Sequence, residues 1–305
     1  MESEELDPQP VGPSEVDRGV ALQALCDGSG WKIPDAPLDL GDLRWKPDLT
    51  ATGAVLHLSM TGALPGPWIR RMEAAAKADL KLTFATTATT LDVEALLALQ
   101  SLDARIAIID LSGDVPRVRA HRSVADLIAA ERLFIDPGAL RALAEHRLAE
   151  AGATDNNSKK GRWFEEVLCL VFSQVSWLTV DEHAYNNATE EIDLLISCRA
   201  VGYIAQLIGS PLVVATAKNE NKATNSQTVK YLKEQVANRK GRCKLGFLCS
   251  ASTISDDAKG EILRGSQSAD IVIACIDREA LVGLIQGADE LDERLEALIR
   301  AAIAD

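Results

Sequence analysis

Two acids and a lysine stand out by type and by position. Glu165 follows Gly161-x-x-Phe164 where a helical apolar pattern opens, Asp193 follows Glu191-Ile192 where a strand pattern opens, and Lys218 closes the run Val213-Val214-Ala215-Thr216-Ala217-Lys218-Asn219. Carboxylates bind hard divalent cations through oxygen, and a lysine nearby can stabilise charge that develops on a phosphate under attack. Thr216 lies two residues before Lys218, so strand periodicity puts both side chains on one sheet face.

Elements must bring these residues together, and the chain is patterned to supply them. Its second half reads as a helix over about 162–174, strands at 177–181 and 192–198, an apolar insert at 200–208, and a strand at 211–217. A helix over about 225–238, a strand at 244–249, a helix at 255–263, a strand at 270–276 and terminal helices follow. The first half reads as strands at 54–60, 80–84 and 105–111 alternating with helices at 67–78 and 91–102, the order of parallel crossovers in a sheet covered on both faces. Helices near 123–131 and 138–149 come next, and then the polar, aperiodic stretch Ala153 to Lys160, where a linker is expected.

With 305 residues the chain is long enough for two domains. The expected division is an acidic disordered tail at 1–16, a Rossmann-like α/β sensor or recruitment domain at 17–152, a linker at 153–160 and a second domain at 161–305. Apolar residues at 47% and charged residues at 25% exclude a disordered or fibrous chain. No apolar run reaches the length of a membrane span, and the first residues are acidic where a secretory signal would be basic, so a cytoplasmic protein without membrane association is expected. The six cysteines stand singly without a C-x-x-C pair and read as reduced core residues. His57, His121, His146 and His183 are equally scattered and read as structural or surface residues.

Several segments between Gly161 and Ile285 together resemble the PD-(D/E)XK nuclease superfamily and, within it, restriction-endonuclease-like domains of the Mrr type. Gly161-Arg162-Trp163-Phe164-Glu165 is similar to the family's opening G-x-x-F-E, Glu191 to Ile196 to its aspartate strand, and Val213 to Asn219 to its strand ending in E-x-K or Q-x-K. Leu245 to Ser250 with Thr253 to Ala258, and Ile271 to Asp277 with Leu281 to Ile285, resemble the strands and helices that follow. The resemblance implies an α/β fold whose C-terminal mixed sheet is flanked by helices, preceded here by the smaller Rossmann-like domain. It implies Mg²⁺ or Mn²⁺ as cofactor, with Asp193 as principal ligand, Glu165 and the Ala217 carbonyl completing the site, and Lys218 orienting the attacking water.

Thr216 departs from the pattern, because a hydroxyl is a neutral and poor Mg²⁺ ligand. Three readings stay open: another acid has moved in, with Glu220, Glu191 and Glu234 as candidates; Asp193, Glu165 and water suffice; or the domain binds without cutting. The implied activity is DNA cleavage of a restriction or anti-phage defence kind, regulated through the N-terminal domain by a small molecule or protein, in a homo-oligomer. The alternative is a degenerate DNA-binding or assembly module.

Net charge is −13, which argues against coating nucleic acid by bulk attraction. From Lys159 to Lys244, however, twelve Lys and Arg face nine Asp and Glu. Lys222, Lys230, Lys233 and Lys240 are the expected contacts to a duplex backbone, with Lys230 and Lys233 on one helix face. In the first half, the loops 61–66, 85–90 and 112–114 follow parallel strands, where ligands bind in such sheets. Thr90 there is expected to cap a helix.

Overall fold

Buried apolar strands and one-sided helices sort the chain into two compact units, residues 1–122 and 123–305. The structure, a computed structural model, describes residues 15–27, 29–41, 43–88, 90–186, 191–199, 208–266 and 271–304, with the backbone alone at 184–186 and 265–266. Most of the expected tail and the insert at 200–207 lie outside these residues. Glu15 and Val16, assigned to the tail, instead open a helix.

The first unit begins with α1 (Glu15–Cys26) and an antiparallel ribbon of β1 (Leu38–Asp39) and β2 (Arg44–Trp45). There follow β3 (Leu49–Ala51), β4 (Ala54–Ser59), α2 (Gly66–Lys77), β5 (Lys81–Thr86), α3 (Val93–Ser101), β6 (Arg105–Asp110) and β7 (Arg117–His121). The five strands of the sheet lie in the order β3-β4-β5-β6-β7. β4, β5 and β6 are parallel, as the alternation of strands and helices predicts, while β3 and β7 pair antiparallel at the two edges. Val55, Leu56, His57 and Leu58 are all buried, the mark of a strand covered on both faces. Leu25 and Ala21 of α1 join Leu56, Leu58, Ala85 and Ile109 in one core cluster.

In the second unit α4 (Val124–Ala130), α5 (Pro137–Ala153) and α6 (Asn157–Ser173) precede β8 (Leu178–Asn186), β9 (Glu191–Cys198) and β10 (Leu212–Lys218). Then come α7 (Ser226–Ala237), β11 (Cys243–Ser250), α8 (Asp256–Ser266), β12 (Val272–Ile276), α9 (Arg278–Gln286), a 3₁₀ turn and α10 (Leu291–Ala304). The strands lie in the order β12-β11-β10-β9-β8. β8, β9 and β10 form an antiparallel meander, and β10, β11 and β12 are parallel, so both units are α/β with mixed sheets. α6 anchors on one face through Phe172, whose ring lies 5.0 Å from that of Phe247. Where α7 crosses β11, Gly246 keeps the contact close: a Cβ there would come within 3.0 Å of Ile273 and 3.1 Å of Leu232.

The polar stretch 153–160 is not a linker. Asn156 takes the Lys159 amide at 3.0 Å as N-cap of α6, so the helix begins five residues before its apolar periodicity does. α4 and α5 both pack on α6 and therefore fold with the second sheet, which places the division before Ser123. No described helix is long and apolar enough to cross a membrane.

Candidate active site

The antiparallel register of β9 with β10 ends at Leu194 opposite Ala215. One residue further along, Asp193 continues the pairing with its side chain. Its Oδ2 accepts the Ala217 amide at 2.6 Å and the Thr216 hydroxyl at 3.0 Å. Asp193 thus sits where the two strands part, and its Oδ1 takes no hydrogen bond among the described residues. Thr216 is buried, with its hydroxyl donated to the aspartate, so position 216 supports the carboxylate and does not replace the missing acid.

Burial pushes the Asp193 carboxyl above its usual range, against the pull of the Ala217 amide, and the charge of Glu165 pushes it further. The Thr216 hydroxyl and the Lys218 ammonium oppose that rise without cancelling it. Two carboxylates and a cation are therefore close enough to act on one another. Lys218 is half-buried at the end of β10, and its ammonium has no hydrogen-bond or ion-pair partner among the described residues. Glu165 comes from the third turn of α6, with its side chain 20% exposed.

The rim around these residues is tightly knit. Asn219 donates its side-chain amide to the Lys160 carbonyl at 2.7 Å, and the Lys160 ammonium reaches Asn221 at 2.9 Å, tying the start of α6 to the segment after β10. Thr224 donates its hydroxyl to Ser250 at 2.8 Å, and Ser252 donates its hydroxyl to the Lys222 carbonyl at 2.6 Å, tying that segment to the end of β11. Such cross-bracing holds side chains at strand ends in fixed positions.

The other expected ligands and contacts are distributed differently. Glu220 is exposed beyond the end of β10 and makes no ion pair or hydrogen bond among the described residues; Glu165 is the acid whose charge bears most on Asp193. The Glu191 carbonyl is taken by Tyr231 and Gln235 of α7. Ala217 adjoins Asp193 through its amide.

The basic residues do not form one patch. Lys222 lies at the rim beside Lys218, and Lys230 is exposed on α7. Lys233, expected to share a phosphate-tracking face with Lys230, is instead bound to Glu261 of α8 by its backbone carbonyl and side chain. α7 is the crossover between parallel strands and runs from the end of β10 back to the start of β11, about 18 Å over its twelve residues. Lys240, in the left-handed turn that follows at φ 53°, consequently stands at the opposite rim from Lys218. Sequence spacing cannot reveal that separation, because a crossover reverses direction while the charges remain neighbours in sequence.

A second cluster was not expected. His183 on β8 pairs in register with Leu194, next to Asp193. Its Nδ1 lies 2.6 Å from Asp126 Oδ1 and its Nε2 3.5 Å from Glu165 Oε2. Burial alone would lower this imidazole, but the two carboxylates outweigh it and hold it at about 9. Asp126, Cys169 and His183 offer ligand atoms within 4.8 Å of one another. Cys169, however, lies sealed in the core, where burial pushes its thiol well above the usual range, and points that thiol at the Ala125 carbonyl at 3.7 Å. With the imidazole held as a cation against Asp126, this trio is suited to an ion pair and unsuited to a metal.

Mg²⁺ fits the Asp193 site better. Its donors there are hard oxygens, and a cation would relieve the Asp193 carboxylate, which burial and the charge of Glu165 push above its usual range. Family models, curated proteins and solved structures provide no match to this chain.

In the first unit, the rims of the parallel strands are already internally bonded. Ser59 donates to the Ala63 carbonyl at 2.9 Å, Thr87 to the Met60 carbonyl at 2.8 Å, and Thr86 accepts the Ala88 amide at 3.0 Å. Asp92, and not Thr90, caps α3, taking the Ala95 amide at 2.7 Å. Behind the rim, Asp48 accepts the Leu58 amide at 2.8 Å, the His57 ring at 2.9 Å and the Arg18 guanidinium. The His57 ring stacks on Trp68, 3.8 Å between centroids.

Proposed function

We propose that the second unit is a Mg²⁺- or Mn²⁺-dependent DNA endonuclease of the PD-(D/E)XK type, serving restriction or anti-phage defence, and that the first unit senses a ligand or recruits a partner. The observation that carries this reading is Asp193 held at a braced rim under the charge of both Glu165 and Lys218, whose ammonium has no hydrogen-bond or ion-pair partner among the described residues. An antiparallel meander continued by a parallel crossover, with a helix ahead of it, is the element order the resemblance implies.

Asp193, through Oδ1, and Glu165 would hold the cation, which supplies charge neutralisation and a water acidic enough to attack near neutral pH. Thr216 and the Ala217 amide fix the aspartate by holding its other oxygen. Lys218 stabilises the negative charge that builds on the phosphate, and with no hydrogen-bond or ion-pair partner among the described residues it is available to do so. Lys222 and Lys230 meet the flanking backbone. Of the three ways to accommodate Thr216, this arrangement favours a site built on two acids.

Incubating plasmid with the protein and Mg²⁺ or Mn²⁺, beside Asp193→Ala and Lys218→Ala, tests the proposal. Nicking by wild type alone supports it, and equal nicking by all three sinks it. The second reading, a module that binds DNA without cutting, is favoured by the neutral residue at 216. It predicts salt-dependent duplex binding with no cleavage under either metal.

A further inference from the structure

Asp126 and His183 take no part in the motifs that mark the site, yet the fold delivers both to it. Ser123 caps α4 by accepting the Asp126 amide at 3.2 Å, which sets Asp126 in the first turn, and α4 packs on both α6 and β8. β8 carries His183 into register beside β9, and α6 brings Glu165. An imidazole has two nitrogens, and each one here faces a carboxylate: Nδ1 is in hydrogen-bond contact with Asp126 at 2.6 Å, whereas the buried Nε2 lies at ion-pair distance from Glu165, 3.5 Å, without a hydrogen bond among the described residues, and the side chain is only 11% exposed.

A buried ion pair is weak evidence of added stability, since desolvation offsets most of the attraction. What the arrangement does provide is orientation. The short bond to Asp126 fixes the plane and tilt of the ring, and a fixed ring presents Nε2 from one direction only. Glu165 has three rotatable bonds and would otherwise sample several positions. Residues that orient a metal-binding carboxylate in this way are commonly as consequential for affinity as some ligands.

We propose that His183 is a positioning residue of the Asp193 site: anchored by Asp126 through Nδ1, it holds Glu165 through Nε2 in the rotamer that lets this carboxylate share a cation with Asp193. The proposal rests on the reading of Asp193 and Glu165 as a metal site. It goes beyond that reading in giving the chain a carboxylate–imidazole–carboxylate brace that compensates in rigidity for the charge missing at Thr216.

Mn²⁺ titrated into the full-length protein, followed by calorimetry and by the paramagnetic resonance of free Mn²⁺, tests this without reference to cleavage. His183→Asn keeps an amide near Asp126 but withdraws from Glu165, whereas the longer His183→Gln restores a donor toward Glu165. With both variants folded by circular dichroism, His183→Asn should lose about 10-fold or more in Mn²⁺ affinity and His183→Gln should recover most of it. Should His183→Asn fail to fold, Asp126→Ala, which frees the ring without removing it, should weaken Mn²⁺ binding in the same direction. Mn²⁺ uptake that is lost in Asp193→Asn but indifferent to these three variants overturns the positioning role alone. Equal losses in His183→Asn and His183→Gln also overturn it, since no rescue then follows from the reach to Glu165. A wild type that takes up no Mn²⁺ overturns the metal site and the brace together.

Discussion

Each unit has a five-stranded mixed sheet, and the two sheets treat their polar side chains in opposite ways. In the first, the hydroxyls of Ser59 and Thr87 are donated to backbone carbonyls, Thr86 accepts an amide, and Asp48 gathers three donors. Those bonds outweigh the burial that would raise the Asp48 carboxyl and hold it below the usual carboxylate range. In the second, Asp193 accepts two donors and is still raised, mainly by burial and then by Glu165, while the Lys218 ammonium has no hydrogen-bond or ion-pair partner among the described residues. Satisfied polar groups lock a fold; groups held in an unfavourable state lower stability and prepare a site for something that relieves them. The contrast is the reason the proposed chemistry is assigned to the second unit.

Removing a satisfied group should cost most. Asp48→Ala leaves the Leu58 amide and the buried His57 ring without their acceptor, so denaturant unfolding should show a loss of about 3 kcal/mol. Mn²⁺ binding should be unaffected, and a metal defect in this variant would break the separation of roles.

The ionic brace in the second unit makes a pH-dependent prediction of similar size. The folded-state value of His183, about 9, lies above the ordinary imidazole value of 6.5, so its contribution is fully present below about pH 6.5 and is lost as pH rises through about 9. In metal-free protein that loss should amount to about 3 kcal/mol. His183→Gln should flatten the slope between those limits, and an unchanged slope would remove His183 as its origin.

Thr87→Ala deletes one rim bond of the first unit and should cost about 1 kcal/mol by the same measurement. Asp193→Asn should have the opposite sign. Because the carboxyl is raised in the fold, ionisation at neutral pH disfavours the folded state, and the neutral amide should raise the melting temperature in chelator. A lower melting temperature would mean that Asp193 is as satisfied as Asp48 and would erase the contrast.

Much of this was legible in the sequence, for identifiable reasons. β4, β5 and β6 and the strands from β9 to β12 are apolar runs bounded by polar turns, which is why their order could be read directly. β7 could not, because Arg117-Val118-Arg119-Ala120 lies on an exposed edge with no buried face to produce alternation. The first turns of α6 were hidden behind polar residues that meet solvent, although Asn156 is a recognisable cap. In the candidate site, motif spacing singled out Asp193, Glu165 and Lys218, and the structure puts the charges of the latter two within reach of Asp193. His183 and Asp126 were not, since their meeting depends on the β8–β9 register and on the packing of α4, and neither leaves a local pattern. The dispersal of the basic residues was missed because a crossover helix separates in space what the sequence keeps adjacent.

The most direct test of the central claim is plasmid cleavage with Mn²⁺ by wild type and by Lys218→Ala, each shown beforehand to be folded and to bind duplex DNA. The expected result is nicking by wild type and a loss of about 100-fold or more in the variant, whose missing ammonium would have stabilised the reacting phosphate. Undiminished nicking by Lys218→Ala would contradict the assignment of this rim as the place where the phosphodiester is cut.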